Sequence, residues 1–330
     1  MSDYPLDKLT EPITKLIETI SSGIGALYEP TRIRRKAKAD AEAIKVIARA
    51  KVEVLALEDS TIKNYYLALE REKLLQEFQK KNNRDNVIIM AAEELDGKTV
   101  NEEKVDKDWI VQFVAYAEQT SNEEMQLLWA KLLSEEVQKP NSFSKRAMAT
   151  LASMSSQEAK AFYEIAICSF KNEKGEVVYP RQNTRFFPSY KKSIEIRNNV
   201  KILQTLNLLN DGIGQSLGLL FNDEENLGGV HIPYFDYKIK ITWEEKGVKY
   251  FMIYGLVFTH IGKELAQLVV PNHDMKDYLN TILTQTVFNH RKANTRPLRL
   301  MIEFGKLTDY NHESCKFKKS EIISWKNVTY

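Results

Sequence analysis

Cysteine is scarce in this chain, with only Cys168 and Cys315 among 330 residues. They lie far apart in sequence and neither belongs to a C-x-x-C pair, so we expect neither a disulfide framework nor a cysteine-rich zinc site. The scarcity favours a reducing cytoplasmic location. The first residues also lack the charged stretch, apolar core and small-residue cleavage site of a secretion signal, so none is predicted.

Long apolar runs and an excess of one charge are also absent. No stretch of about 18 apolar residues occurs, so we expect no transmembrane helix. The 47 basic and 45 acidic residues give a formal net charge of +2, whereas dedicated nucleic-acid binders usually carry a pronounced basic excess. Hydrophobic residues make up 43% of the chain, enough to build a sizeable core in two or three domains.

Sequence patterns of metal and acid–base chemistry are weak. None of the five histidines forms an H-E-x-x-H motif. His273 beside Asp274 is more typical of a capped loop than of a metal site. The acid pair at Glu135 and Glu136 lies on a predicted helix, where adjacent positions point apart, so we expect a solvated surface. No metal and no catalytic residue is predicted.

Glycine-rich and nucleophile motifs are no stronger. Gly212, Gly214 and Gly218 of the DGIGQSLG segment lack G-x-G-x-x-G spacing, and the segment follows a predicted helix rather than a strand. No Walker lysine follows it, and no G-x-S-x-G elbow occurs. We therefore predict no cofactor and no enzymatic activity.

An amphipathic helix is predicted within residues 1–30. Its apolar positions recur at helical three- and four-residue steps: Ile13, Leu16, Ile17, Ile20, Ile24 and Leu27. Gly23 and Gly25 weaken its second half and are candidate hinges. A basic cluster follows: Arg32, Arg34, Arg35, Lys36 and Lys38. An apolar face beside basic charge is typical of an interfacial membrane helix, but the same face suits a helix bundle or an oligomer.

Residues 31–100 form a predicted long-helix region, free of glycine and proline until Gly97. Either one long helix or two fit it, with a break over the polar residues 82–86 and a short helix over 87–95. Apolar positions between Ala37 and Leu74 make a stripe that needs a partner, as in a coiled coil. We therefore expect the chain to form a homo-oligomer through these helices.

Residues 101–170 are predicted to be a helical bundle. Asp108 is the expected N-cap of its first helix, and Ser121 with Glu124 has capping-box spacing before a strong apolar stripe. Ser155 or Ser156 is expected to cap the last helix.

Residues 171–270 favour a winged-helix-like α+β domain, with residues 271–330 as a C-terminal extension. A helix over 193–209 precedes a two-stranded ribbon formed by 237–243 and 250–258, and a short helix over 259–268 follows. In DNA-binding modules of this kind, a helix carries side chains into the groove. The candidate nucleic-acid contacts are Lys191, Lys192, Arg197 and Lys201. The near-neutral charge makes nucleic acid the less expected partner.

Three stretches, which begin LTEPITKL, DWIVQFVAY and VFTHIGKEL, resemble an uncharacterised bacterial family known only as a domain of unknown function. The resemblance extends to about Val270. The middle block also resembles the abortive-infection alpha proteins, which carry E-x-x-x-L-W-A-x-L-L and then a capped second helix. The matching positions are Glu124, Leu128, Trp129, Ala130, Leu132, Leu133, Leu151 and 155–159. The resemblance implies a bacterial cytoplasmic protein linked to phage defence, and it supplies no catalytic residues.

Together these features predict a mainly α protein, with long N-terminal helices and a helical bundle before a smaller α+β winged-helix-like part. The functional hypothesis is a non-enzymatic anti-phage defence protein that associates with a membrane or binds a partner. The expected partners are a second copy, a neighbouring defence protein or phage trigger, and an anionic membrane surface. The alternative is a cytoplasmic adaptor or scaffold, or a winged-helix DNA-binding protein, in which the first helix is permanent core.

Overall fold

The computed structural model describes residues 10–25, 28, 60–172, 175–180, 190–210, 218–222, 229–243, 250–293, 300–311, 314 and 316–324. The chain divides into two compact units, Met1–Ser153 and Met154–Tyr330. In the described ranges the first unit is helical and both four-stranded sheets lie in the second. The coarse prediction of a mainly α protein with an α+β C-terminal part therefore holds.

The first unit contains helices α1 (Glu11–Ile24), α2 (Ser60–Leu95), α3 (Lys107–Gln119), α4 (Glu123–Gln138) and α5 (Lys145–Ser153). Helices α3 and α4 pack on α2, and α1 packs mainly on α3. An aromatic cluster lies at the centre: Trp109 stacks on Phe113 at 5.5 Å, and Phe113 meets the edge of Trp129 at 5.7 Å. The apolar stripe predicted for α4 is this core, because Leu132 and Leu133 are fully buried.

The caps of two of these helices differ from the predicted ones. The Asp106 carboxylate, not that of Asp108, accepts the hydrogen bond from the backbone N–H of Trp109, at 2.8 Å. Asn122, not Ser121, caps α4. Both predicted caps were wrong by one or two positions. Several adjacent polar residues can act as the N-cap, and the backbone angles of the folded chain determine which of them does.

The predicted helix break over residues 82–86 was also wrong, because α2 runs unbroken through these residues. Three of their polar side chains have partners inside the unit. The Asn83 amide donates to the carbonyl of Glu118 at 3.0 Å, and the Arg84 guanidinium binds the Glu118 carboxylate at 2.9 Å. Asp85 accepts a hydrogen bond from the Tyr28 hydroxyl at 3.3 Å. A polar run inside a helix is stable where neighbouring helices satisfy it.

The second unit has four helices among the residues described: α6 (Ser156–Ala166), α7 (Tyr190–Thr205), α8 (His260–Ala266) and α9 (Lys276–Ala293). Ser155 caps α6 in a full capping box with Glu158, which confirms Ser155 as the capping residue. This helix belongs to the second unit and not to the bundle predicted for residues 101–170. Helices α6 and α7 pack together, and the Asn199 amide of α7 donates to the Glu164 carboxylate at 2.7 Å.

Ten strands accompany these helices in the described part of the unit. They are β1 (Phe170–Lys171), β2 (Val177–Pro180), β3 (Gly218–Asn222), β4 (Gly229–Tyr234), β5 (Tyr237–Trp243), β6 (Tyr250–Val257), β7 (Leu300–Lys306), β8 (Tyr310–Asn311), β9 (Lys316–Phe317) and β10 (Glu321–Ser324). One sheet has the order β1-β2-β6-β3, a second has the order β10-β7-β5-β4, and β8 pairs with β9.

The strand pairing overturns the predicted winged-helix ribbon. Strand β5 pairs antiparallel with β4 and β7, whereas β6 pairs with β2 and β3, so the two expected partners lie in different sheets. Strand β7 matches β5 along its whole length, from Tyr237 opposite Lys306 to Trp243 opposite Leu300. Residues 271–330 therefore contribute a central strand rather than an appended extension, because β7 pairs with β5 on one side and with β10 on the other.

Candidate functional site

The apolar face of α1 is core in this structure. Ile13, Leu16 and Ile20 are 1%, 0% and 0% exposed, and Ile17 and Ile24 are half-buried. Helix α1 packs on α3, α4 and α2. Three of the six side chains predicted to enter a membrane are therefore covered by protein in this structure.

The two candidate hinge glycines each have a local structural role. A Cβ at Gly23 would lie 2.9 Å from Cγ2 of Ile110, so this glycine lets α1 approach α3 closely. Gly25 has a φ of +67° and ends α1 in the left-handed conformation, which glycine adopts at helix C-termini without steric cost. Neither role requires a hinge.

The end of α1 is held by a polar anchor. The backbone N–H of Tyr28 donates a hydrogen bond to the Ser21 hydroxyl at 2.9 Å. The phenol hydroxyl of Tyr28 donates a second hydrogen bond to the buried Asp85 carboxylate. Burial raises the pKa of Asp85, while Arg84 and Lys81 act in the opposite direction. Leu27 and the basic cluster of Arg32, Arg34, Arg35, Lys36 and Lys38 lie outside the described residues.

Helix α2 has fully buried side chains in its second half and exposed apolar side chains among the described positions of its first half. Val87 and Ile88 are fully buried, whereas Tyr65 and Leu75 are 62% and 56% exposed. We call residues 60–80 the exposed half of α2; it contains about 20 residues and spans about 30 Å. This element includes the end of the apolar stripe predicted to mediate self-association.

The candidate nucleic-acid residues lie on α7. Arg197 and Lys201 are exposed and stand one helical turn apart. Lys191 and Lys192 belong to the first turn of the same helix. Since the ribbon of a winged helix is replaced by two four-stranded sheets, these four residues lack the structural context that motivated the DNA hypothesis.

The His273 and Asp274 side chains, considered as a possible metal site, have structural partners. The His273 ring nitrogen Nδ1 lies 2.8 Å from Asn272 Oδ1, and the Asp274 carboxylate accepts from the backbone N–H of Lys276 at 2.8 Å, as expected for a capped loop. No three His, Cys, Asp or Glu residues within the described ranges form a group that could hold a metal ion. The segment 211–217 of the DGIGQSLG stretch lies outside those ranges.

Glu136 departs from its prediction. It is 2% exposed rather than solvated, and its carboxylate accepts from the backbone N–H groups of Asn141, at 2.7 Å, and Phe143, at 3.0 Å. The carboxylate organises the loop after α4, because a buried anion needs such donors. The burial of Glu136 is thus explained by its structural role in this loop, without a catalytic role.

Fold and sites together define a two-unit, mainly helical protein with an exposed helical segment and no assembled metal centre in its described part. Residues 68–283 match the family described as a protein of unknown function, DUF2806, and the chain belongs to that family. The match begins within the exposed half of α2 and ends in α9. No curated protein and no solved structure matches the chain, and none of these comparisons links it to abortive-infection proteins. No helix in the described part is long and apolar enough to cross a bilayer.

Proposed function

We propose that this chain is a non-enzymatic bacterial interaction protein that self-associates through the exposed half of α2 and binds a partner in defence against phage. The observation that supports it is the exposure of Tyr65 and Leu75 on a helix whose second half is buried. A second copy of the chain, associating through the same helix, is the occupant we propose for this surface.

Helix α2 is long, and apolar side chains in the described part of its first half are exposed. Helices of fewer than about 12–15 residues are marginal in water, and longer ones draw most of their stability from packing an apolar face. Along the exposed half of α2, Leu74 and Phe78 are half-buried while Tyr65 and Leu75 face solvent. Pairing with the same helix of a second copy would cover these side chains and produce a coiled-coil-like dimer.

The burial of α1 makes the membrane hypothesis less favourable than partner binding. To reach a bilayer, α1 must withdraw Ile13, Leu16 and Ile20 from the first unit. At about 1.5–3 kcal/mol for each buried side chain, withdrawal costs roughly 5–9 kcal/mol before any membrane contact forms. The resting protein is therefore expected to keep α1 in place, and partner binding to come first.

The defence context rests on the resemblance to abortive-infection alpha proteins. Of the matching positions, Trp129, Leu132 and Leu133 are fully buried in the first unit. The resemblance thus concerns a bundle core, and supports a related helical scaffold rather than a shared catalytic site.

Sedimentation of the full chain at tens of micromolar tests self-association. The variant Tyr65→Glu with Leu75→Glu adds two negative charges to the exposed surface and should convert a dimer or larger oligomer into a monomer. The matched control, Arg71→Gln with Lys80→Gln, changes the net charge equally at exposed positions of the same helix and should leave the oligomer intact. A wild-type monomer would refute the proposal.

Plaque counts on bacteria that express the chain, with its native neighbouring genes, test the defence role. Wild type and the charge-matched control should reduce plaque numbers for at least one phage in a diverse panel, and the Tyr65→Glu, Leu75→Glu variant should not. Equal plaque numbers with and without wild-type protein across the panel would remove phage defence, while the sedimentation result would stand independently.

A further inference from the structure

A cavity of about 400 Å³ opens in the second unit between β1, the turn that joins β4 to β5, and α8. Pockets for small ligands commonly have volumes of about 300–1,000 Å³. Pro233, Tyr234 and Phe235 supply one apolar wall, and alanine and valine side chains supply others. The cavity therefore has the size and lining expected for a small molecule with an apolar body.

Two lysines are the charged side chains that line the cavity among the residues described. Lys171 is exposed on β1, and Lys263 is half-buried on α8, so two separate elements bring cationic groups to one apolar space. The structure shows no carboxylate bound to either ammonium group within its described ranges. Two ammonium groups beside an apolar wall favour an anionic ligand.

The carboxylates that neighbour the lining residues in sequence are bound elsewhere. The pairs are Glu176 with the Asn172 amide, Asp236 with Lys306, and Glu264 with His260. None of these three acids is therefore positioned by a bond to the cavity lysines.

Phe235 gives a second, independent indication. It has a φ of +50° in the two-residue turn between β4 and β5, where Gly, Asn or Asp is usual. The other described non-glycine residues with positive φ are Asn141 and Asn207, a residue type that tolerates this conformation. Phe235 is nevertheless 39% exposed at the cavity. Non-glycine residues held in the left-handed conformation cluster at active sites and ligand-binding sites.

Tyr234 fixes the geometry of this wall. Its hydroxyl donates to the carbonyl of Ile167, and its ring lies 5.0 Å from that of Phe170 and 4.9 Å from that of Phe235. Burial raises the pKa of Tyr234, and a phenol hydroxyl is a hydrogen-bond donor at neutral pH even without this shift. The apolar wall is therefore preorganised rather than assembled on binding.

We propose that this cavity binds a small anion with an aromatic or apolar body: Lys171 and Lys263 hold its carboxylate, sulfonate or phosphate, and Phe235 covers the body. The site is independent of self-association through α2 and of the proposed defence role.

Fluorescence titration of the full chain with 1-anilinonaphthalene-8-sulfonate, an aromatic sulfonate, tests the proposal. Wild type should give saturable binding to one site, and naphthalene-2-carboxylate should displace the probe. Naphthalene-2-carboxamide has the same body without the charge and should compete at least tenfold more weakly.

Variants locate the site. Lys171→Gln and Lys263→Gln should each raise the dissociation constant at least tenfold, while Lys160→Gln, an exposed lysine of α6 that does not line the cavity, should leave it unchanged. Phe235→Gly should weaken binding at least fivefold and preserve or raise the unfolding temperature, since glycine accepts the turn conformation. A purely structural role for Phe235 would not separate these two measurements.

Three results would each contradict the proposed anion site. Absence of saturable probe binding, equal competition by carboxylate and carboxamide, or unchanged affinity in both lysine variants would each reject an anion site in this cavity. Because Lys171 is exposed and Lys263 half-buried, both variants should fold, and matching unfolding temperatures would verify this. A Phe235→Gly variant that binds as tightly as wild type would remove the ring from the site.

Discussion

Replacement of Gly23 by alanine distinguishes a hinge glycine from a packing glycine. In an unconstrained helix the change should stabilise by about 1 kcal/mol, because alanine is the better helix former. Here the added Cβ would lie 2.9 and 3.0 Å from the two γ-carbons of Ile110, which is fully buried and has little room to move. Overpacking of this kind costs about 1–3 kcal/mol. The net expectation is a loss of about 0–2 kcal/mol.

A double-mutant cycle isolates the contact. Ile110→Ala alone should cost about 2–5 kcal/mol through lost packing, but it removes both γ-carbons that the new Cβ would meet. In that background Gly23→Ala should recover its helix-propensity gain of about 1 kcal/mol. The coupling between the two changes should therefore amount to about 1–3 kcal/mol, well above the 0.3–0.5 kcal/mol expected for independent sites.

Urea unfolding followed by tryptophan fluorescence provides the measurement. The first unit holds Trp109 and Trp129, so changing the other two tryptophans, Trp243 and Trp325, to Phe confines the signal to it. Ser22→Ala, at an exposed neighbouring position of α1, is the control and should show no coupling to Ile110. If Gly23→Ala stabilises by about 1 kcal/mol in both backgrounds, the close packing of α1 on α3 does not exist and a hinge at Gly23 regains support.

Three further predictions concern buried or capping polar groups. Burial raises the pKa of Asp85 in the folded state, so the wild-type protein loses stability as this carboxyl ionises with rising pH. The free energy of unfolding of Asp85→Asn should therefore rise relative to that of wild type as pH increases from about 4 to 7. The difference between the two urea curves at each pH measures this, and a constant difference would contradict it. Glu136→Gln should cost about 1–3 kcal/mol because it weakens two charge-assisted bonds, while Glu135→Gln should be near neutral; equal effects would refute the role of the buried acid. Ser155→Ala should cost about 1 kcal/mol by removing the capping box, whereas Ser156→Ala should not, as thermal unfolding will report.

Helical elements were predictable where burial follows the helix period. The stripe that contains Leu132 and Leu133 is core, and the helix ends before Pro140, as expected. The wrong predictions have a common cause, because they depend on contacts between residues that are distant in sequence. Nothing near Asn83 or Asp85 indicates that Glu118 and Tyr28 will satisfy them, so a polar run was interpreted as a helix break.

Strand pairing in the second unit shows the same limit more clearly. The alternation of Tyr237, Ile239 and Ile241 correctly indicates a strand with one buried face. Its main partner, β7, begins at Leu300, whereas a continuous apolar run at residues 250–258 lies much nearer in sequence and is equally able to form a strand. The period of a strand specifies which side is buried but not which strand lies beside it. The cavity was likewise hidden, because Lys171, Phe235 and Lys263 come from three separate elements.

Helix α1 sets the energetic condition on any membrane action. A ligand shifts a conformational equilibrium only by its differential affinity for the two states. If withdrawal of α1 costs roughly 5–9 kcal/mol, a trigger must bind the released state roughly 10⁴–10⁶-fold more tightly than the packed one. Weak electrostatic attraction to a lipid surface, at about 1 kcal/mol for each basic residue, reaches the lower end of that range only if several residues act together. A high-affinity partner supplies this difference through one contact surface, so we predict that partner binding by the first unit precedes any membrane activity of this protein.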